Sequence, residues 1–166
     1  MRISTLLTAT AAVGATAAAG SAVTTPAVRS AWYRRLRKPG YQPPSAAFPV
    51  VWPALYADIA AVSAYCIDEL HEQGETAAAQ RYRVALILNL VFNAGWSWLF
   101  FGRRRLGTAA MTALALTASG ADLTRRAIEA GGRRGALLAP YPAWCGFATA
   151  LSTHIWWLNR GRSRRS

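Results

Sequence analysis

The amino-acid sequence predicts an all-α protein, a five-transmembrane-helix bundle with its N-terminus outside and its C-terminus inside. Three observations lead there. Of the 166 residues 53% are hydrophobic, yet the chain carries a formal charge of +12. Most of that charge sits in clusters between uncharged runs, and those runs are long enough to cross a bilayer, since roughly 20 residues at about 1.5 Å each cover a core of roughly 30 Å. The clusters also alternate in strength: twelve Lys and Arg fall on one side of the expected membrane and seven on the other, where acidic residues dilute them. The positive-inside rule then sets the orientation. A nucleic-acid binder would also be basic, but it would spread its cations over one face of a soluble fold. The expected partner is therefore the lipid bilayer and not nucleic acid.

The first apolar window runs from Ile3 to Val28. Arg2 followed by an Ala-rich stretch also fits a secretory signal peptide, but this run is far longer than the roughly 7 to 15 residues of a signal core, which favours a retained helix. Gly14, Ala18 and Ala22 repeat at four-residue spacing, a stripe of small residues suited to close helix packing. Next comes a basic loop rich in aromatics and proline. Lys38-Pro39 and Gln42-Pro43-Pro44 hold it bent and extended, because proline fixes its own φ and pushes the preceding residue out of the helical region.

The further windows run from Phe48 to Ile67, Tyr82 to Phe101, Leu106 to Thr124 and Ala136 to Leu158, and a basic tail covers 159–166. The fourth is the most polar, with Thr, Ala and Asp122, and its Ala109, Ala113, Thr117 and Ala121 form a second small-residue stripe. These stripes make a homodimer an expectation. Residues 1–166 read as a single integral membrane domain, located in the bacterial cell membrane.

Conventional catalytic chemistry is thinly represented. Cys66 and Cys145 are expected as small apolar fillers. His71 in the acidic loop and His154 in the last window have no partners at metal-ligand spacing, so no metal site and no required cofactor are expected. Neither a phosphate loop nor a nucleophile elbow is present.

Three motifs in register carry a resemblance. Trp32-Tyr33, Lys38-Pro39, Pro43-Pro44, Val51-Trp52 and Leu55-Tyr56 come first. Asn93-x-x-Trp96-Ser97 and Phe100-Phe101-Gly102 follow, and Pro140-Tyr141, Trp144, Phe147-Ala148-Thr149, Leu151 and Asn159 complete the pattern. Together they resemble the translocator protein family, TspO/MBR, whose bacterial members are called tryptophan-rich sensory proteins. The resemblance implies a five-helix membrane bundle that binds porphyrins and similar hydrophobic ligands in a pocket under the first loop. By position it implies Trp32, Tyr41, Phe48, Trp52, Tyr56, Asn93, Trp96, Trp144, Ala148 and Leu151 as ligand-binding residues. There are departures: Tyr41 stands where the family often has Trp, Asn89 where it often has Gln, and Leu151-Ser152-Thr153 lacks the tyrosine of the cholesterol pattern in animal members. A cholesterol role is therefore not carried over.

Read physically, the matched residues make a plausible site. Helix arithmetic places Trp52, Trp96 and Ser152 at similar depth, about 6 to 9 Å from one end. Indole faces stack well on flat tetrapyrroles, and Arg34, Arg35, Arg37 and Lys38 would attract their propionates. The plainer alternative is that Trp32, Trp156 and Trp157 form an interfacial belt while Trp52, Trp96, Trp98 and Trp144 fill a core. Asp58 stands well inside a window, where a carboxylate costs roughly 3 kcal/mol unless paired or solvated. Asn89 and Asn93 share a helix face at about its depth, so a polar cluster of Asp58, Asn89 and Asn93 is expected at the pocket floor.

Three function classes stay open. A membrane receptor or sensor needs a pocket and a ligand. An enzyme-like, light-dependent breakdown of porphyrin would use the bound pigment as sensitiser and a tryptophan, Trp52 or Trp144, as reactive partner. A tetrapyrrole transporter would need an alternating path, and neither an inverted repeat nor paired broken helices are visible.

Overall fold

A computed structural model of the chain describes residues 2–161, all of whose long elements are helical. Residues 162–166, most of the expected basic tail, lie outside the described residues. Helix α1 spans Ile3–Val28, and a short α2, Ala31–Arg35, follows it. Helix α3 spans Phe48–Glu72, α4 Thr76–Ser97, α5 Leu106–Gly131 and α6 Pro140–Asn159. A π-turn, Trp98–Gly102, extends α4, and a 3-10 turn, Gly135–Leu138, precedes α6.

Local chemistry explains three of the boundaries. Ser30 caps α2 by accepting from the Tyr33 backbone N–H, which satisfies one of the donors every helix start leaves open. Pro49 sits in the first turn of α3, where the N–H it lacks would have had no partner in the helix. After α5, Gly132 takes φ +55, and Gly135 lets the next turn press onto α5: a Cβ there would lie 1.8 Å from the Ala127 carbonyl oxygen.

The long helices run up and down. α1 packs on α3 and α4, and α5 packs on α4, α3 and α6. The main core joins Ile59, Leu86, Leu116, Leu123 and Tyr141 from four helices. Helix α3 continues past Ile67, where the predicted window ended, and its Asp68 is only 2% exposed. Its carboxylate accepts from the Arg2 backbone N–H and from Thr5 Oγ1 at 2.6 Å. That contact ties the start of α1 into the bundle.

The five-span reading needs correction. Among the described residues three helices are long and apolar enough to cross a membrane: Ile3–Val28, Ser45–Glu72 and Thr76–Gly102. The other two have the length but not the apolarity. α5 carries Asp122, Arg125, Arg126 and Glu129, and α6 spreads Pro, Tyr, Ser, Thr, His and Asn among its apolar residues. The orientation, which rested on counting five crossings, loses its basis with them. The protein is an all-α bundle anchored by three apolar helices.

The small-residue stripes also divide. Gly14, Ala18 and Ala22 are all exposed, whereas the face α1 packs inward is Ala9, Val13, Thr16 and Gly20. On α5, Ala109 and Ala113 are buried within the chain, Thr117 Oγ1 lies 2.9 Å from Thr149 Oγ1 of α6, and Ala121 is exposed.

Candidate functional site

The end of the bundle where α1 and α4 finish and α3 begins is lined with aromatic rings in two walls. On α3 and α4, Trp52 lies 5.9 Å from Trp96 with their planes 34° apart, and Tyr56 lies 5.6 Å from Trp52. Trp96 continues the wall to Phe100 and Phe101, and Trp32 from α2 meets Phe100 edge-on at 6.3 Å. The second wall belongs to α6, the loop and the first residue of α3. Phe48 meets Trp144 at 6.1 Å, Trp144 meets Phe147 at 5.3 Å, and Tyr41 meets both Phe147 and His154. Offset and edge contacts at such distances are the favoured geometries for rings.

Polar links hold the walls in register. Trp96 Nε1 donates to Ser152 Oγ at 3.2 Å, tying α4 to α6. Ala148, Leu151 and Ser152 are buried one and two turns beyond Trp144 on α6. Asn159, at the end of α6, grips the loop: the Arg37 backbone N–H donates to its Oδ1 at 3.1 Å, and its Nδ2 donates to the Arg37 carbonyl at 2.9 Å. Lys38 Nζ rests 3.7 Å from the centre of the Tyr33 ring, a cation–π contact. Partial burial there moves the Lys38 ammonium below the usual lysine value. Burial likewise raises the Tyr33 phenol, against an opposing hydrogen bond with Gln42.

Below the walls lies the polar cluster, and its membership differs from the expectation. Tyr141 Oη donates to Asn89 Oδ1 at 2.6 Å and accepts from Asn93 Nδ2 at 3.3 Å. Tyr56 Oη donates to Asn93 Oδ1 at 2.8 Å. Asp58 is not part of it; its Oδ2 is buried without a hydrogen-bond partner. The physical reason is competition: the Tyr141 hydroxyl, fully buried on α6, both donates and accepts, and so bridges two amides that a carboxyl one helix away would have had to reach separately.

The structure thus brings Trp52, Tyr56, Asn93 and Trp96 together on one wall, with Trp32 at its rim through Phe100. Phe48, Trp144 and Tyr41 stand on the other, beside Ala148 and Leu151. Trp98 does not fill a core: it is 45% exposed, in the company of Trp156 at 41% and Trp157 at 53%. Sequence reasoning missed Tyr141 as a polar residue and Asn159 as a clamp. A tyrosine between two prolines in an apolar window is a usable signal, since a buried hydroxyl must find a partner. Two buried donors or acceptors in the walls keep none of their own: Trp144 Nε1 and Gln42 Oε1. No group of three or more His, Cys, Asp or Glu capable of holding a metal ion occurs among the described residues.

Apolar helices long enough to span a bilayer, joined to one end crowded with indoles, define an integral membrane protein of the tryptophan-rich, all-α kind. The chain belongs to the TspO/MBR family, whose model matches residues 7–158. It is 31% identical over 148 residues to the tryptophan-rich sensory protein of Cereibacter sphaeroides, covering 88% of this chain and 89% of that one. It is 32% identical over 134 residues to the human translocator protein, covering 78% and 76%, and 28% identical over 135 residues to the tryptophan-rich protein TspO of Bacillus cereus, covering 77% and 80%.

Proposed function

We propose that this protein is a receptor or sensor of the bacterial cell membrane that binds a flat hydrophobic tetrapyrrole, such as protoporphyrin IX, against the two aromatic walls. The observation that carries the reading is the pairing of Trp52 and Trp96 on one wall with Trp144 on the other, whose buried indole N–H has no partner among the described residues. Indole faces would stack on the macrocycle, the Trp144 N–H would meet an acceptor on the ligand, and Lys38 would meet a propionate. Family membership supports the same direction. Sites of this kind combine apolar lining with a few placed polar groups.

The test is a fluorescence titration. Protoporphyrin IX quenches the tryptophan emission of the native protein at micromolar concentration or below, and Trp52→Ala with Trp144→Ala weakens binding at least tenfold while helicity is kept. Unchanged affinity in that double variant would sink the proposal. The exposed face of α1 with Gly14, Ala18 and Ala22 supports a homodimer in the same membrane, and crosslinking in native membranes that yields monomer alone at every concentration counts against it.

A second reading follows from the stacked indoles: illuminated porphyrin with dissolved oxygen would oxidise a neighbouring tryptophan or be consumed itself. Porphyrin loss in light that is slower with Trp52→Phe or Trp144→Phe than with native protein supports it. Equal loss in all samples, detergent alone included, leaves binding only.

A further inference from the structure

Beside the aromatic walls the chain reverses from α4 into α5 through three consecutive arginines, Arg103, Arg104 and Arg105, all exposed. The turn is built rather than loose. Arg104 takes φ +56, a left-handed conformation that a residue with a Cβ rarely adopts. Its guanidinium lies 5.3 Å from the Trp32 ring, and that of Arg103 lies 4.5 Å from the Trp98 ring. On the α6 side Trp156 presses against Gly107, where a Cβ would come within 3.0 Å of the indole Nε1.

The surroundings are one-signed. Arg34, Arg37 and Lys38 belong to the same end. Among the described residues the nearest carboxylates along the helices are distant. Asp58 lies about 15 Å up α3 from Phe48, and Asp122 about 24 Å up α5 from Leu106. Asp122 and Glu129 are paired with Arg125 and Arg126 in that far region. Leading away from the turn, α4 exposes Val84, Ile87, Leu88 and Val91, and α4 is one of the helices apolar enough to cross a membrane.

We propose that the Arg103–Arg105 turn is a binding site for the phosphodiester headgroup of an anionic phospholipid, whose acyl chains lie along the exposed face of α4. Guanidinium groups match phosphate oxygens with paired N–H donors. Exposed tryptophans set the turn at headgroup depth, where each cation adds to the attraction for anionic lipid. Free phosphate would meet the same arginines but would gain nothing from the apolar stripe or the indoles. The site stands apart from the tetrapyrrole proposal, since it uses none of Trp52, Trp96 or Trp144.

The experiment is native mass spectrometry of the full chain in detergent, offered phosphatidylglycerol, phosphatidylcholine or inorganic phosphate. Phosphatidylglycerol is retained in preference to phosphatidylcholine, and excess phosphate does not displace it. R103Q/R104Q/R105Q weakens retention on the order of 100-fold, at roughly fivefold for each cation. R81Q/R133Q/R134Q, which removes the same charge at the far end, leaves it unchanged. Should the first triple variant fail to fold, Arg104→Gly serves in its place, because glycine adopts positive φ freely. That variant keeps its melting temperature and binds the lipid roughly fivefold more weakly. Equal loss in both triple variants, no loss in Arg104→Gly, equal binding of the two lipids, or displacement by phosphate would each overturn the proposal.

Discussion

Tyr141→Phe removes one oxygen atom from a fully buried site and should be costly well beyond its size. The Tyr141 hydroxyl makes two hydrogen bonds, to Asn89 at 2.6 Å and from Asn93 at 3.3 Å. A typical intramolecular hydrogen bond contributes about 0.5–1.5 kcal/mol net, so the pair together contributes about 1–3 kcal/mol. The upper part of the range applies here, because Asn89 Nδ2 already lacks a partner and the variant would leave its Oδ1 unpaired as well; orphaned buried groups bear the desolvation penalty in full. Unfolding in mixed detergent micelles, followed by circular dichroism, measures the loss. Asn89→Leu and the double variant complete a cycle: if Tyr141 acts through Asn89, the double change costs clearly less than the two single losses combined. A loss below about 0.5 kcal/mol, or additivity within that margin, would refute the bridging role of Tyr141.

Four further outcomes are expected. Asp58→Leu removes a buried carboxyl oxygen that has no partner and should raise stability in the same assay by about 1 kcal/mol or more, whereas a loss would reveal a partner for Asp58. Gly135→Ala forces a methyl group into the Ala127 backbone and should cost about 1–3 kcal/mol or more, read as a lower melting temperature. Asn159→Leu cuts both bonds to the Arg37 backbone, so amide exchange in residues 37–44 should speed up on the order of tenfold while α3 and α4 keep their protection. The last concerns pH. Lys38 is charged below its titration point, which burial has lowered from 10.5, so affinity for a porphyrin dicarboxylate should be full at lower pH and fall as pH rises through that point. The dimethyl ester of the same porphyrin should bind without that dependence, and Lys38→Gln should abolish it.

Helix positions were legible because apolar runs and charge clusters mark them: the predicted windows at Ile3–Val28 and Leu106 start where α1 and α5 start. The crossing count was not, because length and freedom from clustered charge do not measure polarity. α6 has the length of a span but dilutes it with hydroxyls, amides and prolines. The second window ended at Ile67 because a carboxylate follows it, and in the fold the start of α1 covers that carboxylate on α3. Spacing put Asn89 and Asn93 on one helix face and Trp96 level with Ser152, and both pairs do share partners or contact. What spacing could not supply was rotation about each helix axis. That is why Asp58 was assigned a bond that Tyr141 makes instead.

The π-turn at Trp98–Gly102 bears on all of this as a matter of angle. Its wider ring, closed by the Arg103 N–H on the Trp98 carbonyl at 2.8 Å, accommodates one residue more than an α-helical turn. Since each residue of an α-helix advances the chain by about 100°, whatever follows is rotated by about that much from where a straight continuation would have carried it. The π-turn therefore acts as a phase shifter between the rings of α4 and the arginine turn that follows it. Upstream, Trp96 faces inward to the rings; downstream, the arginines swing outward toward the membrane surface. Deleting a single residue between 98 and 102 would leave both groups intact in composition and point them in the wrong relative direction. The relation between them is thus held in the hydrogen-bond register of one turn, and not in the identity of either group.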